Sequence, residues 1–123
     1  MKPVVIELVE THIDTENNGY CVDWMGYPIT EENPLTFHHI IKKADGGEMI
    51  KENGALLTID AHEELNTIEQ KYPDTYKELN QLFIKLNQSG KPPTEEYWHE
   101  LRQILNKMKT NAAPVKVYRK IIK

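Results

Sequence analysis

Three of the five histidines in this chain fall within one short window. His38 and His39 are adjacent in LTFHHII, and His62 follows in TIDAHEEL. Gly46-Gly47 and Asn53 lie between them. A neutral imidazole, with an ordinary pKa near 6.5, can take a proton from water or give a lone pair to a divalent ion. The bland alternative is one surface and one buried histidine on a strand, with His62 a polar first-turn helix residue. Strand alternation sends neighbours to opposite faces, so His38 and His39 serve one site only where the strand bends. Asn53 before Gly54 is also a turn signal, and that reading is compatible with a functional one.

The whole window, FHHIIKKADGGEMIKENGALLTIDAHEELN, resembles the HNH motif of the ββα-metal endonucleases. That family pairs His-His, often with a following Ile, with a Gly-Gly loop, an Asn opening a second strand and a His opening a helix. Asn53 to His62 spans nine positions with Leu56 and Leu57 between them. Upstream, YCVDWMGYPIT is similar to the family's Cys-x-x-Cys-Gly lead-in, with Met25 where a second cysteine would stand. The resemblance covers roughly residues 20 to 70.

It implies an α+β fold with a ββα-metal (His-Me finger) core and additional C-terminal helices. It also implies metal-dependent endonucleolytic hydrolysis of phosphodiester bonds in DNA. His39 then takes the part of general base, and His38 and His62 hold the metal. Asn53 holds the loop and orients the base, because a freely rotating imidazole is a poor base. The family's further ligand, one helical turn after the helix His, falls on Asn66, with Glu63 a nearby alternative. An amide oxygen is a weaker ligand than His or carboxylate, which favours Mg²⁺ or Mn²⁺ over Zn²⁺ or Ni²⁺. The rival reading is a nucleic-acid-binding or regulatory protein with the same fold and weak or no catalysis. Few arginines, only Arg102 and Arg119, and an acidic body favour that rival.

The elements that must position these residues follow from pattern. PVVIELVE reads as a strand or an apolar arm. DTENNG is loop chemistry, and Tyr20 to Ile29 around Gly26 reads as a short hairpin. Leu35 to Ile41 and Leu56 to Ile59 have the branched and apolar content of strands. Asp60 is the expected N-cap of a helix to Lys71, with Glu63 completing a capping box and Pro73 stopping it. Asp74 is expected to cap a second helix with the stripe Tyr76, Leu79, Phe83 and Leu86, ending before Gly90. Thr94 caps a third, with the stripe Trp98, Leu101, Leu105 and Met108. Both stripes are core-forming. Val115 to Ile122 reads equally as strand or short helix.

The chain's 123 residues suit a single domain, and 39% hydrophobic with 28% charged residues is a globular composition. No apolar run approaches a bilayer-spanning length and no signal peptide is evident, so the expected location is the cytoplasm. The single cysteine, Cys21, excludes an internal disulfide and a cysteine-rich zinc framework, so packing must hold the core. A zinc module could stand only on histidines. Net charge is −4, yet six cations and no acids fall from Lys107 onward. Lys116, Arg119 and Lys120 in that tail are candidate phosphate contacts, or else part of a solvated extension.

Overall fold

Pro3 opens a helix rather than a strand. A proline at the first helical position loses no hydrogen bond, and its fixed φ suits the turn. The helix α1 runs Pro3–His12, and it turns Val5, Leu8 and His12 inward. Those three recur at spacings of three and four, which one helix face gathers and strand alternation does not. The expected N-terminal strand or arm is corrected accordingly.

The structure is a computed structural model that describes residues 2–13 and 21–111. The expected loop at Asp14 to Gly19, Tyr20, and Lys116, Arg119 and Lys120 in the basic tail lie outside the described residues. The expected hairpin from Tyr20 to Ile29 reduces to a single antiparallel bridge, Val22 to Pro28. Gly26 turns the chain there with φ of 88°.

Leu35–His39 forms β1, and Gly54–Thr58 forms β2. They pair antiparallel, with Leu35 opposite Thr58 and His39 opposite Gly54. β1 ends two residues before the expected Ile41, because the Asn53 side chain takes both backbone groups of Ile41. β2 starts two residues earlier than expected, directly after Asn53. Two single 3₁₀ turns, Lys43–Asp45 and Lys51–Asn53, lie in the connection.

Thr58, not Asp60, caps the next helix, α2 (Ile59–Lys71); its hydroxyl accepts from Ala61 N–H at 3.2 Å. The Asp23 carboxylate explains the shift. It receives both the Thr58 N–H and the Thr58 hydroxyl at 2.8 Å, fixing Thr58 in the extended cap conformation. The expected capping box at Asp60 and Glu63 is therefore corrected. Tyr72 and Pro73 end α2 as expected. Pro73 is itself the first residue of α3 (Pro73–Ser89), and Asp74 sits in the first turn rather than at the cap. An acid there still favours the positive end of the helix dipole. Gly90, at φ 67°, closes α3. Thr94 accepts from Tyr97 N–H at 3.4 Å and opens α4 (Glu95–Asn111), as expected.

All five residues of β2 are buried. Its outer edge is the usual weakness of a two-stranded sheet, and here three of its backbone groups find partners. Gly54 C=O accepts from Asn87, Leu56 C=O accepts from Trp24 N–H, and Thr58 N–H donates to Asp23. Leu56, Leu57, Leu65, Leu79 and Phe83 are essentially inaccessible, each contributing roughly 1.5–3 kcal/mol of burial. That is the packing a single-cysteine chain needs. The α+β class is as expected, and among the described residues no helix is long and apolar enough to cross a membrane.

Candidate active site

β1 alternates, so Thr36 and His38 face α2 and α3 while Phe37 and His39 face away. His38 is buried, with its ring 5.5 Å from His62, 5.9 Å from Phe83 and 6.4 Å from Tyr76, all edge-on. His39 closes the strand, its ring centre 4.9 Å from that of Phe37 in an edge-on contact. Despite the alternation, His38, His39 and His62 line one open recess of about 190 Å³, because His39 stands at the strand's end where the chain turns away. Lys42, Lys43, Asn66, Glu69 and Tyr76 line it too, with Phe37 at its margin beside His39. A larger groove of about 630 Å³ runs between α3 and α4, lined by Glu78, Lys85, Glu100 and Lys107. It holds no imidazole, so size does not locate the chemistry.

Hydrogen bonds hold two of the three rings. His38 Nε2 lies 2.9 Å from Asn80 Oδ1, and His62 Nδ1 lies 2.9 Å from Thr36 Oγ1. Among the described residues no hydrogen bond fixes His39. Burial pushes the His38 imidazole down to about 4, against a raising effect of Asn80 and with a further lowering by His62 and His39. His62 is also lowered, by burial first and then by His39. His38 is thus neutral at ordinary pH and a poor proton acceptor. That suits a ligand better than a base.

Asn53 lies just outside the recess and is 7% exposed. Its Oδ1 accepts from Ile41 N–H at 2.7 Å, and its Nδ2 donates to Ile41 and Glu48 carbonyls at 3.0 Å. Its side chain holds the loop and, among the described residues, makes no hydrogen bond to His39; its backbone carbonyl accepts from Ile40 N–H, directly after His39, at 2.9 Å. Gly47 is required by space rather than flexibility. A Cβ there would stand 1.8 Å from Ile41 O and 2.9 Å from Asn53 Nδ2.

Neither a protein-family model, nor a curated protein, nor a solved structure matches this chain. Among the described residues no three His, Cys, Asp or Glu side chains converge to hold a metal ion. Two imidazoles, one exposed amide at Asn66 and solvent fit an open site for a hydrated divalent ion. They do not fit a closed tetrahedral zinc. Glu69 is the carboxylate that lines the recess, and it pairs with Lys42, whose ammonium also lies 5.8 Å from the Tyr76 ring centre.

Sequence pattern marks Tyr76 only as core and gives no site role to Thr36, Lys42, Glu69 or Asn80. A signal existed for two of them. Thr36 precedes His38 by two and so shares its face, and Asn80 is a polar residue on the apolar stripe between Tyr76 and Phe83.

Proposed function

We propose that this protein is a metal-dependent endonuclease that hydrolyses phosphodiester bonds in DNA, built on a ββα-metal unit. The observation that carries the reading is the meeting of His38, His39 and His62, from β1 and α2, in one recess with Lys42 and Lys43. His38 and His62 are the candidate ligands, with Asn66 at the rim. A bound divalent ion would polarise the phosphate and stabilise the departing oxygen. His39, more open than His38 and free of hydrogen bonds among the described residues, takes the proton of the attacking water. Lys42 and Lys43 neutralise phosphate charge, and Asn53 fixes the loop that carries them. His38 stays neutral down to about pH 4, so activity lost on mild acidification belongs to another group.

A second reading is supported by the sparse ligand set and by the pairing of Lys42 with Glu69. On that reading the chain binds nucleic acid, or regulates, with little catalysis. Supercoiled plasmid in Mg²⁺, Mn²⁺ or EDTA, beside the His39→Ala protein, separates the two. The nuclease reading expects metal-dependent nicking that drops about a hundredfold in His39→Ala, with metal-dependent thermal stabilisation retained. Plasmid left intact in every metal, with DNA still bound, selects the second reading.

A further inference from the structure

The hydrogen atoms of the two fixed imidazoles follow from their partners. Thr36 has one hydroxyl hydrogen, and it is donated to Leu57 C=O at 2.7 Å. Toward His62 the same oxygen can only accept, so His62 Nδ1 carries the proton. The partner of His38 Nε2 is an amide oxygen, which also only accepts, so His38 Nε2 carries the proton. Each neutral ring is left with one lone pair, on opposite nitrogens. Neither is sealed: the buried polar atoms without a partner, among the described residues, are His12 Nε2 and Trp24 Nε1.

We infer that Thr36 and Asn80 are positioning residues that lock His62 and His38 in opposite tautomers, so that the recess offers His62 Nε2 and His38 Nδ1 as its free lone pairs. The functional weight of this rests on the nuclease reading, since those two atoms are then the ones that meet a divalent ion. The more demanding half is His62. Free histidine in water prefers the proton on Nε2, so the Thr36 hydroxyl holds His62 against its own preference. Ligating histidines commonly donate their other N–H to a fixed acceptor, and losing it typically weakens metal binding 10–100-fold. Here that acceptor is supplied by β1, through the side chain two residues before His38. The fold thus ties one ring to the strand that carries the other. Asn80 does the same from α3, outside the window of the motif.

The test is long-range ¹H–¹⁵N correlation of the metal-free, full-length chain at mildly alkaline pH. Expected are a protonated Nδ1 on His62 and a protonated Nε2 on His38. Thr36→Val keeps the β-branched shape and removes the acceptor; it should move the His62 proton to Nε2. Its Mn²⁺ affinity by titration calorimetry should fall at least about tenfold. Thr36→Ser should restore both. Asn80→Leu should free the His38 ring to exchange tautomers, and Asn80→Asp, which still accepts, should not. A wild-type His62 protonated on Nε2, or a Thr36→Val protein with unchanged tautomer and unchanged affinity, overturns the inference. If the tautomers are as stated and no divalent ion binds, the nuclease reading fails and the assignment of lone pairs stands.

Discussion

Asp23 and Asn53 stand at opposite ends of β2 and gather loop backbone there with different chemistry. Asp23, fully buried, accepts four hydrogen bonds, from Met25 N–H, Tyr27 N–H, Thr58 N–H and the Thr58 hydroxyl, all within 2.9 Å. Asn53 accepts one and donates two, to the backbone of Ile41 and Glu48. A carboxylate is acceptor-only, whereas an amide is both. The difference lies in what each must collect: only donors at the helix end, a donor and two acceptors at the loop end. The helix end is further closed by Tyr97, whose hydroxyl donates to Trp24 C=O, and by Tyr27, whose hydroxyl donates to Glu64 at 2.6 Å. The loop end opens toward the histidines. One end is a sealed anchor and the other a shaped support.

The largest effect expected is therefore at the anchor. Asp23→Asn keeps shape but turns an NH₂ toward N–H or O–H donors, leaving about two of the four unpaired in a sealed setting. At roughly 1–3 kcal/mol for each unsatisfied buried group, the loss is about 2–6 kcal/mol in urea unfolding. A smaller loss than that caused by Asn53→Asp would reverse the order of the two ends.

Acid probes the interior as well, since two buried histidines are depressed. His38 faces the site, and His12, lowered chiefly by burial, packs its ring 5.1 Å from Trp24. Both are neutral in the folded chain and protonate more readily in the unfolded one. Their contribution is thus fully present above about pH 6.5 and is lost as pH falls toward the folded value. For His38, with a folded value of about 4, the loss is about 3 kcal/mol between those limits. Urea titrations of the metal-free chain should show it, and His38→Gln should flatten the slope. An unchanged slope in that variant assigns the acid sensitivity to other groups.

At the loop end the expected cost is smaller. Asn53→Asp keeps the bond from Ile41 N–H and sets a carboxylate against two carbonyls. Part of the loop can rehydrate, so a stability loss of about 1–3 kcal/mol is expected. Gly47→Ala should resemble it, since its Cβ enters the same space. On the proposed nuclease reading, plasmid cleavage should fall in both variants even where the chain stays folded. Cleavage intact in either variant would separate the loop from the chemistry.

This contrast also marks what could be read in advance. The strands, the stop at Pro73, the α3 stripe and the histidine window depend on neighbours in sequence, and pattern carries them. Asp23 does not. Its partners at Thr58 are 35 residues away, and only the folded chain shows why Thr58 rather than Asp60 starts the helix. α4 makes the same point. Its expected stripe holds, with Leu101 buried and Trp98, Leu105 and Met108 half-buried against the core, but Tyr97, outside that stripe, is buried too, because its hydroxyl reaches Trp24 C=O. At the site, the types of His38, His39 and His62 were legible, but the tautomers set by Thr36 and Asn80 depend on three-dimensional partners.

The smallest effect expected concerns α3 and α4, which join neither end of β2 by charge. Lys85 pairs with Glu100 at 3.0 Å and Lys107 with Glu78 at 2.6 Å, across the outer groove. The lysines are about 60% exposed, at 64% and 59%, so water and salt screen both pairs. Exposed pairs are typically worth up to about 1 kcal/mol, and less at high salt. Glu78→Gln with Glu100→Gln should therefore lower stability by about 1–2 kcal/mol at most in low salt, with the loss shrinking as salt rises. The buried face of the same helices, with Leu79, Leu82, Phe83, Tyr97 and Leu101, is untouched by these changes. A double variant that loses as much as Asp23→Asn would mean that charge, not apolar packing, seats α4. The sealed anchor would then depend on the outer groove, because Tyr97 reaches Trp24 from α4.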